Sequence, residues 1–362
     1  MIKKIEMAEI LLSLPDAQEF EPEDFKEQRD ELFLAVLGFE PRALNVPELL
    51  SQKTDYKCAR SLYFEFGTNP KDNEINKSRL ISSLSKIADV IESPLNISQA
   101  NFISEFNRYI SALSEGREHP VRISIDISGF SAQLLLTTLA ILIQYNVLLR
   151  IFYSEAQLYH PTEDDYKKDL ERLKSEEESG ISKGVSEVIT LPTNTGENLD
   201  NLPELLIAFV TFKPERTKKI IAEVTPAEKD VFWVIGNPPN KKWRRDALIE
   251  INEVIGPNIL EISTFDYKAT ISQLENIYKQ FQESHHITIS ALGSKMQNVG
   301  LAVWTHIRRD VTLCLSIPKE YDAKNFSEGA HKTWILTLDI HSILKLLNEL
   351  DNLKRVDDIV KQ

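Results

Sequence analysis

Cysteine is nearly missing from this chain: Cys58 and Cys314 are the only two in 362 residues. A pair so distant, with no further ligands at metal spacing, excludes a disulfide framework and a paired-cysteine zinc site, and it fits a reducing cytoplasm. Long apolar runs are missing too. The longest, LLLTTLAILIQY at 134–145, falls well short of the ~20 residues that cross a bilayer, so no membrane span is expected. The stretch MIKKIEMAEILLSLPD at the amino end begins with lysines, but Glu6 and Glu9 interrupt it and no small-residue cleavage site follows. It reads as an amphipathic helix, not a leader. Enzyme signatures are absent as well: there is no HExxH, GxSxG or GxxxxGK[ST] pattern, which removes zincins, nucleophile elbows and P-loops. The pair His285-His286 opens a strand and is not read as a metal site, and no motif calls for a cofactor.

Negative charge is what the chain has in excess. Its 55 Asp and Glu against 42 Lys and Arg give a formal net charge of −13. Such a field repels nucleic acid and anionic membrane surfaces, so direct nucleic-acid binding is not expected, and an anionic ligand needs a local cluster of cations. The densest positive run, KKWRRD at 241–246, reads as an exposed helix start or a docking patch.

The chain also repeats itself. LFLAVLGFEPRAL (32–44) matches LLIAFVTFKPERT (205–217), setting Phe39-Pro41-Arg42 against Phe212-Pro214-Arg216. LYFEFGTNP (62–70) matches VFWVIGNPP (231–239), each a strand closed by Gly67 or Gly236. ISIDISGFSAQLLLTTLAILIQYNVLLRI (123–151) matches ITISALGSKMQNVGLAVWTHIRRDVTLCL (287–315) without a gap, so that Gln133 falls on Gln297 and Val147 on Val311. Tyr159 and Tyr321 follow, and the tails SKGVSEVITLP (182–192) and SEGAHKTWILTLD (327–339) agree. Four blocks in one order point to an internal duplication.

Each half reads as strands alternating with helices. Continuous apolar strands such as SLYFEF and VTLCLSI suit a mostly parallel sheet covered on both faces, and segments such as 79–92 and 244–255 have the length and period of crossover helices. The fold expected is α/β: two tandem Rossmann-like domains with helices on both faces, plus a carboxy-terminal amphipathic helix. The expected divisions are a helical segment at 1–30, domains at 31–195 and 196–340, and a helix at 341–362 capped by Asp339. The charged stretch 161–187 reads as a mobile excursion, and PTNTGENLDNLP (192–203) as the boundary.

In an open parallel sheet, ligands bind at the carboxyl ends of the strands, where helix amino termini offer free N–H groups. The turn Gly293-Ser294-Lys295, with Gln297 one turn on, combines close backbone approach, a helix mouth and a full positive charge. That combination suits a phosphate, although a solvated capping loop has the same letters. The matching loop carries Asp126, Ser128 and Gly129 and has no lysine. Asp126 lies in a strand of isoleucines, where it either serves as a catalytic or ribose-binding carboxylate or caps the structure. Arg42 and Arg216 would clamp an anion if they enter the crevice, or pair with Glu40 and Glu215 if they do not. Asn237 and Asn69 follow the second strand of each half as turn formers or ligands, and Tyr153, Tyr159 and Tyr321 suit base stacking or core packing.

The strand ending in Gly293-Ser294-Lys295-Met296 resembles the Gly-Gly-Thr-Lys-Met type of turn in CARF domains, the Rossmann-like sensors of cyclic oligonucleotides that accompany CRISPR systems. In that family two such domains meet about a twofold axis, with the nucleotide across the shared cleft. The resemblance implies ligand phosphates near Lys295 and ligand hydroxyls near Ser294 and Ser128. This chain departs from the pattern in lacking one glycine of the turn, and its first-half turn lacks the lysine. CARF proteins usually carry an effector, and the repeated blocks use up nearly all of this chain. The expectation is a cytoplasmic sensor or adaptor that binds a nucleotide-type anion and signals to a protein partner in bacterial antiviral defence. A nucleotide-processing enzyme built on Asp126 and a structural subunit of a defence complex are the alternatives.

Overall fold

The computed structural model describes residues 7–25, 29–168, 182–196, 201–238, 242–323, 326–343 and 345. The first half runs α1 Met7–Ser13, β1 Gln18–Glu19, β2 Arg29–Leu37, α2 Asn45–Lys53, β3 Lys57–Glu65, α3 Pro70–Glu74, α4 Lys77–Ile87, β4 Ala88–Ile91, β5 Leu95–Asn96 and α5 Phe102–Ser114, then β6 Val121–Asp126, α6 Ala132–Leu142, β7 Val147–Ser154, β8 Leu158–Tyr159, α7 Glu163–Lys168 and β9 Ser182–Thr195. The second half runs β10 Glu204–Phe209, α8 Pro214–Val224, β11 Val231–Asn237, α9 Lys242–Ile251, β12 Ile259–Ser263, α10 Tyr267–Phe281, β13 His286–Ser290, α11 Lys295–Ile307, β14 Thr312–Tyr321, β15 Ser327–Glu328 and β16 Thr333–Asp339.

The fold is α/β, with two sheets dominated by parallel pairing. The parallel strands of the first lie in the order β7-β6-β2-β3-β4 and those of the second in the order β14-β13-β10-β11-β12. Both orders are the same when the strands are counted from the start of each half. Strand β2 shows why helices cover both faces. Leu32, Leu34 and Val36 alternate into a core with Phe102, Phe106 and Leu134, while Phe33, Ala35 and Leu37 share a second cluster with Leu50, Leu80 and Leu84 of α2 and α4. A strand apolar at every position is stable only when both its faces are covered. Phe102, Phe106 and Ile110, spaced by four, give α5 one buried stripe.

The run 134–145 becomes α6. It is apolar all round and buried along nearly its whole length, as a helix must be when it lies between two layers. Its second neighbour is α11, and one continuous core cluster contains Leu135 and Leu139 as well as Leu301 and Trp304. The two halves therefore share a core.

The edges of the sheets are exchanged. Strand β9, at the end of the first half, pairs antiparallel with β14 of the second sheet. Strand β16, at the end of the second half, pairs antiparallel with β7 of the first, and β1 adds to its outer edge. The contiguous division at 195/196 thus does not follow the sheets: each contains an edge strand from the other stretch of chain. The short strands β8 and β15 pair with each other where the two connections cross. Helix α1 also crosses over, packing on α10 of the second half.

Of the helical segment expected at 1–30, only Met7–Ser13 is α-helical among the described residues, because Gln18–Glu19 joins the sheet edge and β2 already starts at Arg29; Asp339 Oδ1 accepts a hydrogen bond from Ser342 N at 3.1 Å. Residues 344 and 346–362 of the expected carboxy-terminal helix lie outside the described residues, as do 169–181 of the charged stretch and 197–200 of the boundary. The end of the charged stretch, 182–187, is not an excursion but part of β9, because it pairs with β14. Among the described residues, no helix is long and apolar enough to cross a membrane.

Candidate functional site

Residues following the parallel strands of both sheets line one cavity of about 1060 Å³. Phe39 and Glu40 follow β2, Gly67 follows β3, and Gly129 to Gln133 lead from β6 into α6. From the second half come Thr211 to Lys213 after β10, Gly236 on β11, Thr264 after β12 and Leu292 to Lys295 after β13. The connections after β7 and β14 close the space with Tyr159, Tyr321 and Phe326. The carboxyl ends of the strands are where a doubly wound sheet places a ligand.

The Gly293-Ser294-Lys295 turn divides its labour. Ser294 Oγ caps α11 by accepting from Gln297 N at 3.1 Å and donates to Thr264 O. Gln297 Oε1 accepts from Ser294 N at 2.8 Å, which completes a capping box, and Gln297 Nε2 donates to Ile262 O at 3.3 Å. Both side chains are thereby occupied with structure. Lys295, the first helical residue, is different. Among the described residues its ammonium makes no hydrogen bond or ion pair, and its side chain lines the cavity. Burial pulls its pKa down to about 8; Arg42 adds to the lowering, and Glu40 and Asp126 oppose it.

In the first half, the candidates sit below the cavity wall. Asp126 Oδ1 accepts from Ser128 N at 3.0 Å and from Ser128 Oγ. Burial pushes this carboxyl up to about 7, against the lowering effects of Ser128, Arg42 and Lys295. Ser128 Oγ also accepts from Ser154 N at 2.8 Å, and Ser128 has no exposed surface. The ligand-hydroxyl role that the resemblance implies for Ser128 is not what this geometry gives, because its hydroxyl is fully engaged in holding the strand end. Gly129 does line the cavity. A Cβ there would lie 2.6 Å from Ala43 Cβ and 2.7 Å from Val36 Cγ1, so its glycine is explained by packing.

Arg42 takes the ion-pair alternative. Its Nε donates to Glu40 Oε2 at 2.8 Å and its Nη1 to Tyr159 OH at 3.1 Å, both within the buried floor. Glu40 also accepts from Ser327 Oγ at 2.6 Å, which ties the floor to the second half. Arg216 lines the cavity and does not pair with Glu215: it donates to Ser316 O at 2.7 Å and Ser316 Oγ at 3.2 Å. Asn237 ends β11 between two lining residues, Gly236 and Pro238, without itself lining the cavity. Asn69 binds the backbone of Tyr321 through both its amide oxygen and nitrogen, an inter-half clamp. Tyr153, Tyr159 and Tyr321 all line the cavity, with the hydroxyls of Tyr153 and Tyr159 3.1 Å apart. His285 and His286 lie at the amino end of β13, facing Asp230 and Glu204 respectively. Among the described residues, no group of three metal-ligating side chains exists.

Two cations escaped the sequence reading. Lys213 lines the cavity, almost fully buried, with Glu215 Oε1 3.7 Å away. Burial lowers its pKa, opposed by Glu215. Its signal was present in the repeat, where FKP stands against FEP. Arg244 also lines the cavity, its guanidinium 4.5 Å from the Phe212 ring centre and 5.2 Å from that of Trp243, and it donates to Pro161 O at 3.3 Å. Burial pulls its pKa down to about 10. The run KKWRRD is therefore only partly a surface patch: Arg245 pairs outward with Glu261 and Asp246, whereas Trp243 and Arg244 turn inward. Lys241 lies outside the described residues.

Among the described residues, Arg216, Arg244 and Lys295 have no carboxylate within ion-pair distance, although all three border the cavity. All three are half-buried and face the cavity, so an anion there would gain charge-assisted contacts with each.

No family model and no curated protein matches this sequence. Among solved structures, it is similar to the cytoplasmic domain of a prokaryotic cation chloride cotransporter, with 10% identity and a TM-score of 0.24 over 82% of this chain and 99% of that one. It is also similar to UDP-GlcNAc 2-epimerase from Neisseria meningitidis bound to UDP-GlcNAc, with 13% identity and a TM-score of 0.22 over 71% of this chain and 77% of that one. At these scores, neither likeness bears on how the site works.

Proposed function

We propose that the protein binds a nucleotide-type anion in the cavity between its halves and passes the bound state to a protein partner. The observation that carries the first part is the convergence of Arg216, Arg244 and Lys295, without carboxylate partners among the described residues, on one cavity of a chain whose net charge is −13. The cavity's size, about 1060 Å³, and its aromatic side chains suit a phosphorylated ligand with a ring. A purely structural subunit would have filled this space with side chains. The enzyme reading draws less support, since Asp126 is held by Ser128 beneath the wall and does not reach the cavity. The partner, and a place in bacterial antiviral defence, rest on the resemblance of the Gly293-Ser294-Lys295-Met296 turn to the CARF sensors.

Calorimetric titration with nucleoside phosphates and cyclic oligonucleotides, at low and high salt, tests the binding. Saturable binding that weakens with salt and drops about tenfold or more in Lys295→Ala is expected, the loss of one charge-assisted contact. No binding by any nucleotide would remove the reading.

A further inference from the structure

The two lobes of the cavity have the same strand order but different electrical character: charges are balanced in the first and predominantly positive in the second. Phe39-Glu40-Pro41 after β2 occupies the place that Phe212-Lys213-Pro214 occupies after β10, and Glu40 and Lys213 both line the cavity. At the first helical position after the fourth strand, α6 has Ala132 and α11 has Lys295. Arg216 and Arg244 add further positive charge to the second lobe. The lining of the first lobe includes Phe66, Ile97, Ser98 and Gln133; its two cations near the wall are each paired, Arg42 with Glu40 at 2.8 Å and Lys332 with Glu19 at 2.6 Å.

A ligand with twofold symmetry would present its phosphates equally to both lobes, and one of them would meet Glu40 and apolar side chains. Resting on the nucleotide reading above, we propose that the ligand is asymmetric: its phosphates lie against Arg216, Arg244 and Lys295 of the second half, and its uncharged ring enters the first lobe beside Phe66 and Ile97. This is the layout of a nucleoside polyphosphate. Gln133 supports the assignment. It lines the first lobe near the mouth of α6 with no hydrogen bond to any described residue, whereas Gln297 in the second half is folded into its capping box. A neutral amide with free donor and acceptor groups can read the edge of a ring.

The test titrates the full chain, and variants checked for unaltered thermal unfolding, with inorganic pyrophosphate, four nucleoside triphosphates and a symmetric cyclic dinucleotide. Pyrophosphate binding is expected to fall about tenfold or more in Arg244→Gln and in Lys295→Met and to be unchanged in Phe66→Leu and Gln133→Ala. The best triphosphate should be weakened by variants in both lobes, with discrimination between bases lost in Gln133→Ala alone. Pyrophosphate binding that falls equally for variants of either lobe, or a cyclic dinucleotide preferred over every triphosphate, overturns the asymmetry while leaving nucleotide binding intact. Failure of every nucleotide to bind overturns both readings together.

Discussion

Lys295 and Asp126 are charged groups placed where charge is costly, and each gives stability a pH dependence of known sign. Lys295 titrates near 8 in the folded chain against an ordinary value of 10.5. Between those values the unfolded chain holds a proton that the folded chain has released, so this group makes stability rise with pH across that window. Below it, the buried charge is a standing cost. Asp126 is the reverse case. Between its ordinary 3.8 and about 7 the folded chain keeps a proton that the unfolded chain has lost, so stability falls as pH rises. Urea midpoints measured across that interval should fall for the wild type and fall less for Asp126→Asn, whose amide oxygen can still accept from Ser128. An equal fall in both proteins would show that Asp126 is not the titrating group. Affinity for an anionic ligand should decrease as pH rises through about 8 and lose that step in Lys295→Met, as read by calorimetry. The position of Lys295 on the cavity wall was legible in the sequence because a strand, a glycine turn and a helix start in that order place the residue at a strand's carboxyl end. Arg244 was not, since a basic run looks alike whether its third residue points to water or onto Phe212 and Trp243.

At the scale of elements, the repeated blocks located both helix mouths but missed their phase. Four residues, 127–130, separate the end of β6 from the cap Ser131, whereas three, 291–293, separate the end of β13 from the cap Ser294. Gln133 therefore stands one position earlier in its helix than Gln297, and on a helix one position is a rotation of about 100°. Both glutamines line the cavity, but that difference commits Gln297 to its capping box and leaves the Gln133 amide without a hydrogen bond among the described residues. The matched tyrosines diverge as well: Tyr159 lies in β8, opposite Ser327, and Tyr321 ends β14. Ser294→Ala should cost about 1 kcal/mol through loss of the cap. Gly129→Ala should cost more, about 1–3 kcal/mol, because its new Cβ would meet Ala43 Cβ and Val36 Cγ1, which sit close to fixed backbone. Urea denaturation checks both, and a neutral Gly129→Ala would mean that β2 and the turn after it can move apart.

The exchange of β9 and β16 ties the two sheets together, so the molecule is expected to fold as one unit. A break at 195/196 leaves each half with an edge strand whose partner is on the other piece, and an unpaired edge exposes a row of backbone donors and acceptors. Residues 1–195 and 196–362 made separately should therefore be poorly folded alone and assemble when produced together, as dispersion of amide NMR signals would show. Two well-dispersed spectra from the separate pieces would contradict this. By itself, the sequence determined the α/β class, the central parallel strands, most of the crossover helices and the strand ends around which the cavity forms, because those follow from local periodicity and from the turn residues at strand ends. Only the tertiary structure decided which sheet receives each edge strand, which cations turn inward and which lobe is electrically positive. Those outcomes depend on contacts between separate elements, from Arg244 with Phe212 and Pro161 to Glu40 with Ser327, 287 positions away, and no local pattern in the chain encodes them.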